Sequence, residues 1–389
     1  MINKIDHTDI FPERFKERLS ERNIRVPTEI QKLTVPRISA GENVLFRSAT
    51  GTGKTFAYLL PIFEKLLTCE NPQIPYLLVI APTLELCSQI KSEADFLLKD
   101  YANIKTTLII GSANISRQID SLKKEKPAVI IGNPARLLQL VKMGKLKLYS
   151  ITALVLDEGD RLCSEELFDD TLELVKRVNT NRQSITCSAT ISEKSKEKLF
   201  PLIGKDVAVL ETSAQEILRD QITHWAFFSE GRRKIATLSS FLNASRAKKA
   251  LVFTNNSSQV GNITTKLQYH AVSATGIYSG MNKKDRKQAF DDFKSGKARV
   301  LVSSDLAARG LDIPAISHVI ELDVPSDSEV YIHRAGRTGR AGRKGIMVTI
   351  GDEDELRRFS LLEKKLGITV YPKILYKGRI CTPEQEEEQ

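Results

Sequence analysis

The sequence predicts an α/β protein with two tandem domains, each a mostly parallel sheet with helices on both faces. Short apolar runs typical of buried strands alternate with amphipathic stretches of helical spacing. This alternation weakens into polar residues around 211–221 and then begins again. A chain of 389 residues is also long for one hydrophobic core. We therefore expect a first domain over 1–212, a linker over 213–221 and a second domain over 222–372.

The predicted elements follow this alternation. A helical lead-in occupies residues 10–30, and later helices are expected at Ala57–Leu67, Glu85–Leu98 and Leu167–Val178. The first domain has predicted strands at Val44–Phe46, Tyr76–Ile80, Thr106–Ile110, Ala128–Ile131, Ala153–Leu156 and Ser184–Cys187. The second has them at Ile222–Phe228, Leu251–Thr254, Ala271–Tyr278, Val300–Ser303, His318–Leu322 and Gly345–Ile350. Residues 373–389 end in an acidic run, which predicts a short disordered tail.

Composition narrows the class of protein. The net charge of +10 and the pI near 9.2 favour a polyanionic partner, although solvated lysines would give the same values. The five cysteines include no Cys-x-x-Cys pair, which argues against a disulfide framework or a zinc site. The first residues lack the apolar core of a signal peptide, and no apolar run is long enough to span a bilayer. We expect a cytoplasmic protein that does not enter a membrane.

Residues 43–55 predict a nucleotide phosphate site. The strand Val44–Phe46 leads into a turn with Gly51 and Gly53, and a helix follows. Glycines let backbone N–H groups converge on an anion, and a helix start adds its positive dipole end. Lys54 would reach the β- and γ-phosphates, and the Thr55 hydroxyl would be a Mg²⁺ ligand. The order of strand, turn, Lys-Thr and helix makes a Gly-rich turn that binds nothing the weaker reading.

The strand Ala153–Leu156 delivers two acids at its end. Asp157 would hold Mg²⁺, directly or through water, and Glu158 would orient or deprotonate the attacking water. Strands that end in acidic turns are common in α/β proteins, so this pair alone would decide nothing. Beside Lys54 and Thr55 it predicts a hydrolytic site.

Two further features suit a nucleotide. Gln31, just upstream of the phosphate loop, carries an amide that could read a purine edge, although alone it is an ordinary helix residue. Downstream, Arg337 and Arg340 stand three residues apart among glycines, which suits the charge that builds up during phosphoryl transfer. For Arg343 and Lys344, a position in a solvated loop or on a nucleic-acid surface remains a plausible alternative to a role in phosphoryl transfer.

These segments, taken in order, resemble the core of the DEAD-box RNA helicases of superfamily two over about residues 10–370. The supporting segments of the first domain are Pro27–Gln31, Ser48–Thr55, Pro82–Leu86, Gly111-Ser112, Asn133–Leu137, Asp157–Asp160 and Ser188–Thr190. Those of the second domain are Leu251–Asn255, Asp285-Arg286, Ser304–Asp312 and His333–Arg340. A P-loop kinase or a transporter ATPase is disfavoured, because such chains have no use for the segment Ala308–Asp312.

The resemblance implies two RecA-like domains that bind ATP and Mg²⁺ between them and RNA across both. The implied ATP contacts are Gln31 with the adenine, Asp312 with the ribose, and Ser48, Ala49, Thr50, Gly51, Thr52, Gly53, Lys54 and Thr55 with the phosphates. The implied catalytic residues are Lys54, Asp157, Glu158, Arg337 and Arg340, with Thr55 and Asp157 holding the metal. Ser188, Thr190 and His333 would couple hydrolysis to closure. RNA would be held by Thr83, Gly111, Arg136, Arg286, Ser304, Arg309 and Gly310.

The resemblance also implies an activity. RNA-stimulated ATP hydrolysis would drive domain closure, and closure would separate short RNA duplexes locally or remodel RNA–protein complexes. Contacts to the RNA backbone give little sequence preference. We expect a monomer whose RNA target is chosen by a partner protein or by weak general binding. The alternative is an ATP-gated RNA clamp with poor turnover.

The chain departs from the family pattern at several positions. Gly159 replaces the alanine of D-E-A-D, and since neither residue has a functional group we expect a modest effect on loop rigidity. Leu84 replaces the arginine of P-T-R-E-L, which removes a cation near the RNA path. Asn133 and Ala135 alter the T-P-G-R segment, and Ser112 replaces a glycine. No aromatic residue stands near positions 5 and 6, where the family places one to stack on adenine.

Overall fold

The computed structural model describes residues 10–48, 52–70, 72, 74–188, 193–204, 206–211, 218, 221–278, 280–304, 316–325, 327–339 and 343–383. The chain divides into two compact units, Met1–Thr212 and Ser213–Gln389. Most of the predicted linker lies outside the described residues. Leu218, which falls within it, is buried in a core of the second unit.

The first unit is a parallel sheet of seven strands in the order β3-β4-β2-β5-β6-β1-β7. The strands are β1 Asn43–Arg47, β2 Leu77–Ile80, β3 Thr106–Ile109, β4 Val129–Gly132, β5 Ala153–Asp157, β6 Gln183–Ser188 and β7 Val207–Glu211. The helices are α1 Glu13–Ser20, α2 Glu29–Ser39, α3 Lys54–Thr68, α4 Leu84–Leu97, α5 Ile115–Glu125, α6 Pro134–Lys142, α7 Gly159–Leu162, α8 Phe168–Val175 and α9 Glu193–Ile203.

Helices cover both faces of this sheet, as the sequence predicts. Successive side chains of a strand point to opposite faces, so each strand contributes to two cores. In β2, Leu77 and Val79 join the core that contains α1, α3 and α4, whereas Leu78 and Ile80 join the core under α6, α8 and α9. This two-sided burial explains why the central strands read as continuous apolar runs.

The second unit has eight strands in the order β10-β11-β9-β12-β13-β8-β14-β15. Its pairs are parallel except the last, in which β14 and β15 form an antiparallel hairpin. The strands are β8 Ile222–Phe228, β9 Ala250–Phe253, β10 Ala274–Ile277, β11 Val300–Ser303, β12 His318–Glu321, β13 Gly345–Gly351, β14 Val370–Tyr376 and β15 Arg379–Cys381. The helices are α10 Lys234–Ala244, α11 Gln259–Tyr269, α12 Lys283–Ser295, α13 Ser328–Ala335 and α14 Glu353–Leu366.

The hairpin corrects one prediction. Residues 373–381 were expected to begin a disordered tail, but they lie in β14 and β15, and β14 pairs with β8. The reason is that Leu375 and Ile380 pack against a core of the second unit, which the neighbouring charges obscured. Residues 384–389 lie outside the described part of the chain.

Smaller differences concern element ends. Strand β7 was not predicted, because it is an edge strand with only partly buried side chains. The strand predicted from Ala271 begins at Ala274, since Ala271 adopts a left-handed backbone conformation with φ of 58°. Among the described residues, no helix is long and apolar enough to cross a bilayer.

Candidate active site

The predicted site residues of the first unit gather at one edge of its sheet. Parallel strands place all their carboxyl ends at the same edge, where ligands of open α/β sheets bind. Ser48 follows β1, Thr83 lies shortly after β2, Gly111 lies shortly after β3, and Asp157 and Ser188 end β5 and β6. The sheet therefore brings together motifs that are far apart in the chain.

The phosphate loop joins β1 to α3. Ala49, Thr50 and Gly51, all predicted to contact phosphate, lie outside the described residues. The Ser48 hydroxyl donates to the Thr52 hydroxyl over 2.7 Å, and the Lys54 ammonium donates to the Ser48 carbonyl over 2.7 Å. Lys54 opens α3, where the helix dipole favours an anion. The lysine and the helix start thus point to one anion site.

Gly53 and Gln31 depend on each other. Gly53 has φ of 88°, and a Cβ there would lie 2.4 Å from Gln31 Nε2, so only glycine fits. The Gln31 amide donates to the Gly53 carbonyl over 3.0 Å and accepts from the Thr28 N–H over 2.9 Å. Gln31 is thus bound to the phosphate loop. One N–H and one lone pair of its amide remain for the adenine contact that the sequence predicts.

Lys54, which is half-buried, interacts electrostatically with the buried Asp157. Burial lowers the pKa of Lys54, and the carboxylates of Asp157 and Glu158 act in the opposite direction. Burial likewise raises the pKa of Asp157, while a hydrogen bond from Cys187, the charge of Lys54 and a hydrogen bond from Tyr58 oppose that rise. Each charge therefore compensates part of the desolvation of the other.

Three donors surround the Asp157 carboxylate. The Tyr58 hydroxyl donates to Oδ2 over 2.9 Å, and the Glu158 N–H donates to Oδ1 over 2.8 Å. The Cys187 thiol donates to Oδ1 over 3.0 Å. The sequence analysis missed Tyr58 and Cys187, because both read as ordinary apolar positions of a helix and a strand.

Glu158 stands in a strained position. Its φ of 51° and ψ of 53° are left-handed, which costs energy for a residue with a side chain. In the described part of the chain its buried Oε2 makes no hydrogen bond, and Arg161 Nη1 lies 3.5 Å from it. The hydroxyl of Ser188, also buried, has no hydrogen-bond partner among the described residues. Buried polar atoms without a hydrogen-bond partner are typical of a site that binds a polar ligand. Thr190 lies outside the described residues.

Two predicted RNA contacts of the first unit meet in the structure. Arg136, on α6, donates from Nη2 to the Gly111 carbonyl over 2.8 Å and from Nη1 to the Ala113 carbonyl over 3.0 Å. The Thr83 hydroxyl caps α4 by accepting from the Leu86 N–H over 3.3 Å. Arg136 therefore joins the loop after β3 to the helix that follows β4.

The second unit supplies a separate set of residues. Arg337 follows α13 and is buried, as is His333 within that helix. The hydroxyl of Thr338 donates to the Ile316 carbonyl over 2.7 Å, which anchors the turn that carries Arg337. Ser304 directly follows β11, and its buried hydroxyl makes no hydrogen bond within the described residues. Arg286 lies half-buried on α12. Arg309, Gly310, Asp312 and Arg340 lie outside the described residues.

Arg334 is a supporting residue that the sequence analysis missed. It is 1% exposed and pairs with the fully buried Glu321 at 3.3 Å. It also donates to the Asp323 carbonyl over 3.0 Å and to the Asn255 side chain. These contacts tie α13 to the ends of β12 and β9. The sequence does contain one sign of this pair. Glu321 is a charged residue at the end of an otherwise apolar strand, and such a residue calls for a buried partner.

The oxygen atoms that the first unit offers as metal ligands suit Mg²⁺. Thr55 and Asp157 offer hard oxygen ligands, and Mg²⁺ is commonly held by one or two carboxylates together with substrate phosphates and water. Within the described residues, no group of three or more His, Cys, Asp or Glu side chains could hold a metal ion. A magnesium ion that arrives with a nucleotide therefore suits this site better than a metal in a protein cage.

The fold and site define a nucleotide-binding α/β protein with a lysine phosphate loop and an acidic strand end. The family to which this chain belongs is that of the DEAD-box ATP-dependent RNA helicases, which hydrolyse ATP. The DEAD/DEAH box helicase model matches residues 28–199, and the helicase conserved C-terminal domain model matches residues 233–342.

Two relatives support this assignment, and two solved structures share the fold. The chain is 35% identical to the DEAD-box ATP-dependent RNA helicase CshC of Bacillus cereus, over 90% of this chain and 88% of the relative. It is 30% identical to the probable ATP-dependent RNA helicase YfmL of Bacillus subtilis, over 94% and 96%.

The fold is similar to that of Saccharomyces cerevisiae Dbp5 bound to RNA and ADP BeF3, with a TM-score of 0.81, 24% identity and coverage of 93% and 94%. It is also similar to Mss116p bound to ssRNA and AMP-PNP, with a TM-score of 0.82, 24% identity and coverage of 97% and 79%. The tandem RecA-like architecture is confirmed.

Proposed function

We propose that this helicase hydrolyses ATP at the carboxyl edge of its first sheet and uses the cycle to separate short RNA duplexes or to remodel RNA–protein complexes. The observation that carries the proposal is the electrostatic interaction of the half-buried Lys54 with the buried carboxylates of Asp157 and Glu158. Lys54 binds the β- and γ-phosphates together with the loop Ser48–Thr55. Gln31 reads the adenine, and Asp312 contacts the ribose.

Hydrolysis needs a nucleophile, a metal and charge stabilisation. When bound, Mg²⁺ supplies charge neutralisation on the phosphates, and Thr55 and Asp157 are the residues that hold it. Glu158 orients the attacking water and accepts its proton. Its Oε2 suits this role because that atom is buried and makes no hydrogen bond within the described part of the chain.

The second unit completes the site in this proposal. Arg337 and Arg340 approach the terminal phosphate when ATP and RNA are both bound, and they stabilise the charge that develops during transfer. Ser188, Thr190 and His333 couple the nucleotide state to this closure. Closure bends one RNA strand, and its duplex partner dissociates.

RNA is bound through its backbone. Thr83, Gly111 and Arg136 contact the strand from the first unit. The second unit adds contacts from Arg286, Ser304, Arg309 and Gly310. Because these contacts involve phosphates and sugars, little sequence preference follows. We also propose a monomer that works in the cytoplasm, where the five free cysteines would stay reduced, and that is directed to its RNA by a partner protein.

The second candidate function is an ATP-gated RNA clamp with slow turnover. The observation that favours it is the loss of the family's cation at Leu84, together with the two Arg136 donors that already bind backbone carbonyls. Hydrolysis much slower than RNA release would support the clamp. RNA-stimulated turnover faster than release would support the helicase.

The experiment that tests the proposed function compares ATP hydrolysis with and without single-stranded RNA, using Glu158→Gln as the key variant. We expect the variant to bind ATP and RNA as the wild type does while hydrolysis is abolished, because the amide cannot accept the proton of water. Glu166→Gln, at an exposed position just after α7, is the matched control and should hydrolyse normally. Equal losses of ATP affinity and rate in Glu158→Gln would contradict the assigned role.

A further inference from the structure

We propose that Tyr58 and Cys187 are positioning residues that hold the Asp157 carboxylate in the orientation in which it engages the magnesium of the nucleotide. This inference rests on the proposed function, in which Asp157 holds Mg²⁺. It assigns a role to two side chains that lie outside both the phosphate loop Ser48–Thr55 and the acidic segment Asp157–Asp160. The observation behind it is the arrangement of donors around one carboxylate.

A carboxylate accepts hydrogen bonds and has about four lone-pair positions on its two oxygens. Oδ1 of Asp157 accepts from the Glu158 N–H at 2.8 Å and from the Cys187 thiol at 3.0 Å, which occupies both of its positions. Oδ2 accepts from the Tyr58 hydroxyl at 2.9 Å. Among the described residues no second donor reaches Oδ2, which is therefore the oxygen with an open position, and the donors fix which way that position faces.

The two donors are held by the backbone. Cys187 lies on β6 directly beside Asp157 on β5, where the two residues are partners in the parallel ladder. Tyr58 lies one turn after Lys54 on α3, so its hydroxyl is carried by the helix that follows the phosphate loop. Both side chains are fully buried. Water therefore cannot easily replace either hydrogen bond.

Tyr58 also lies close to the second residue proposed to hold the metal. Thr55 and Tyr58 are three residues apart on α3, so they share one side of the helix, and the Tyr58 hydroxyl donates to Asp157. Tyr58 therefore links the helix that follows the phosphate loop to the acidic strand end. Groups that orient a metal ligand in this way commonly change metal affinity 10–100-fold when they are removed.

A purely structural role predicts something different. Tyr58 and Cys187 would then contribute to packing, and their loss would lower thermal stability without moving the magnesium dependence. The chain offers two matched controls. Cys87 is a buried cysteine whose thiol faces the Ala81 carbonyl, and Tyr76 is a buried tyrosine just before β2. Within the described residues neither side chain forms a hydrogen bond with Asp157, although the charge of Asp157 adds to the effect of burial in raising the pKa of Cys87.

The experiment measures binding of a fluorescent ADP analogue to the full chain as MgCl₂ is raised. We expect Tyr58→Phe and Cys187→Ala each to raise the magnesium midpoint about tenfold. Affinity for the analogue at saturating magnesium should change much less. Cys187→Ser keeps a donor and should restore the wild-type midpoint. Cys87→Ala and Tyr76→Phe should leave it unchanged, and thermal denaturation identifies any variant that fails to fold.

Two failures are distinguishable. If Asp157→Asn abolishes the magnesium dependence while Tyr58→Phe and a correctly folded Cys187→Ala both keep the wild-type midpoint, the positioning role is overturned and the proposed function stands. If Asp157→Asn itself keeps the wild-type midpoint, Asp157 does not hold the metal, and the proposed function fails with the inference.

Discussion

Gly159 has no space for a side chain, although the family pattern has alanine there. A Cβ at this position would lie 2.6 Å from Thr186 Cγ2 and 3.3 Å from Leu199 Cδ2. Real Cβ atoms do not approach other atoms as closely as the first distance, so Thr186 or α7 would have to move. Close packing around position 159 therefore accounts for glycine in place of the alanine of D-E-A-D. The sequence alone had suggested only a modest effect on loop rigidity.

Gly159→Ala should therefore lower the free energy of unfolding by about 1–3 kcal/mol, the usual cost of overpacking a close-packed region. Urea denaturation followed by circular dichroism measures it. Thr186→Ser removes the obstructing methyl group, so the double variant should recover most of the loss, and a double-mutant cycle gives the coupling. A Gly159→Ala protein as stable as wild type would contradict the steric argument.

Arg337 carries the sharpest prediction for catalysis. Arg337→Ala should lower the RNA-stimulated turnover number on the order of 10³-fold or more, because arginines that neutralise the transition state of phosphoryl transfer have effects of that size. Arg343→Ala, at an exposed position before β13, is the control and should change turnover little. Steady-state ATP hydrolysis measures both. A twofold effect of Arg337→Ala would mean that Arg337 does not reach the reacting phosphate.

Strands and motifs differ in how well the sequence predicts them. Central strands such as β2 are buried on both faces, so their apolar runs are visible without a structure. The side chains of the edge strand β7 and of the hairpin of β14 and β15 are only partly buried or exposed. Strand β7 pairs with β1 and β14 pairs with β8, and both partners lie far away in the chain. Pairing of that kind depends on the tertiary fold.

The candidate site divides in the same way. Lys54 and Asp157 belong to short local motifs, so spacing alone identified them. Tyr58 and Cys187 acquire their roles only by contact with Asp157, 99 and 30 residues away. Arg334 likewise depends on Glu321 and Asn255. A local pattern predicts the residues that we propose to touch substrate, whereas the side chains that contact those residues become visible only after folding.

The hairpin is an element whose contribution can be measured. Leu375 and Ile380 pack against the same core as Trp225, and Lys373 lies over the Trp225 ring with its ammonium 5.9 Å from the centroid. A chain that ends at Thr369 should lose stability on the order of 2–4 kcal/mol, because this partly buried apolar surface becomes exposed. A chain that ends at Pro383 is the matched control and should denature like the full chain. Equal thermal midpoints for both truncations would show that the hairpin contributes nothing.

At the scale of the whole molecule, buried histidines make stability depend on pH. His318, at the start of β12, accepts or donates one hydrogen bond with the Ser317 hydroxyl over 2.9 Å and packs its ring against Phe241. Burial lowers the pKa of His318 from 6.5 to about 4. Burial also lowers the pKa of His224, whose Nε2 must donate to the Leu218 carbonyl, so its Nδ1 accepts from the Tyr331 hydroxyl. Both rings are neutral in the folded protein.

Acid should therefore weaken the fold over a defined range. Between pH 6.5 and about 4 the unfolded chain binds a proton at His318 that the folded chain does not, so stability falls as the pH falls. Below pH 4 both states are protonated, and His318 adds no further loss. The lowered pKa of His318 corresponds to a loss of about 3 kcal/mol in the free energy of unfolding between pH 6.5 and pH 4. His318→Gln should flatten the dependence of the unfolding free energy on pH by up to that amount.

Urea denaturation at intervals from pH 7 to pH 4 measures this dependence, and His270→Gln serves as the control because His270 is exposed at the end of α11. The control should keep the wild-type pH profile, whereas His318→Gln should be less sensitive to acid even if it is less stable at pH 7. The effect of burying the His318 ring is measured by the slope of the unfolding free energy against pH. The stability at a single pH does not measure it. Parallel profiles for His318→Gln and wild type would place the acid sensitivity elsewhere, in the carboxylates that both proteins share.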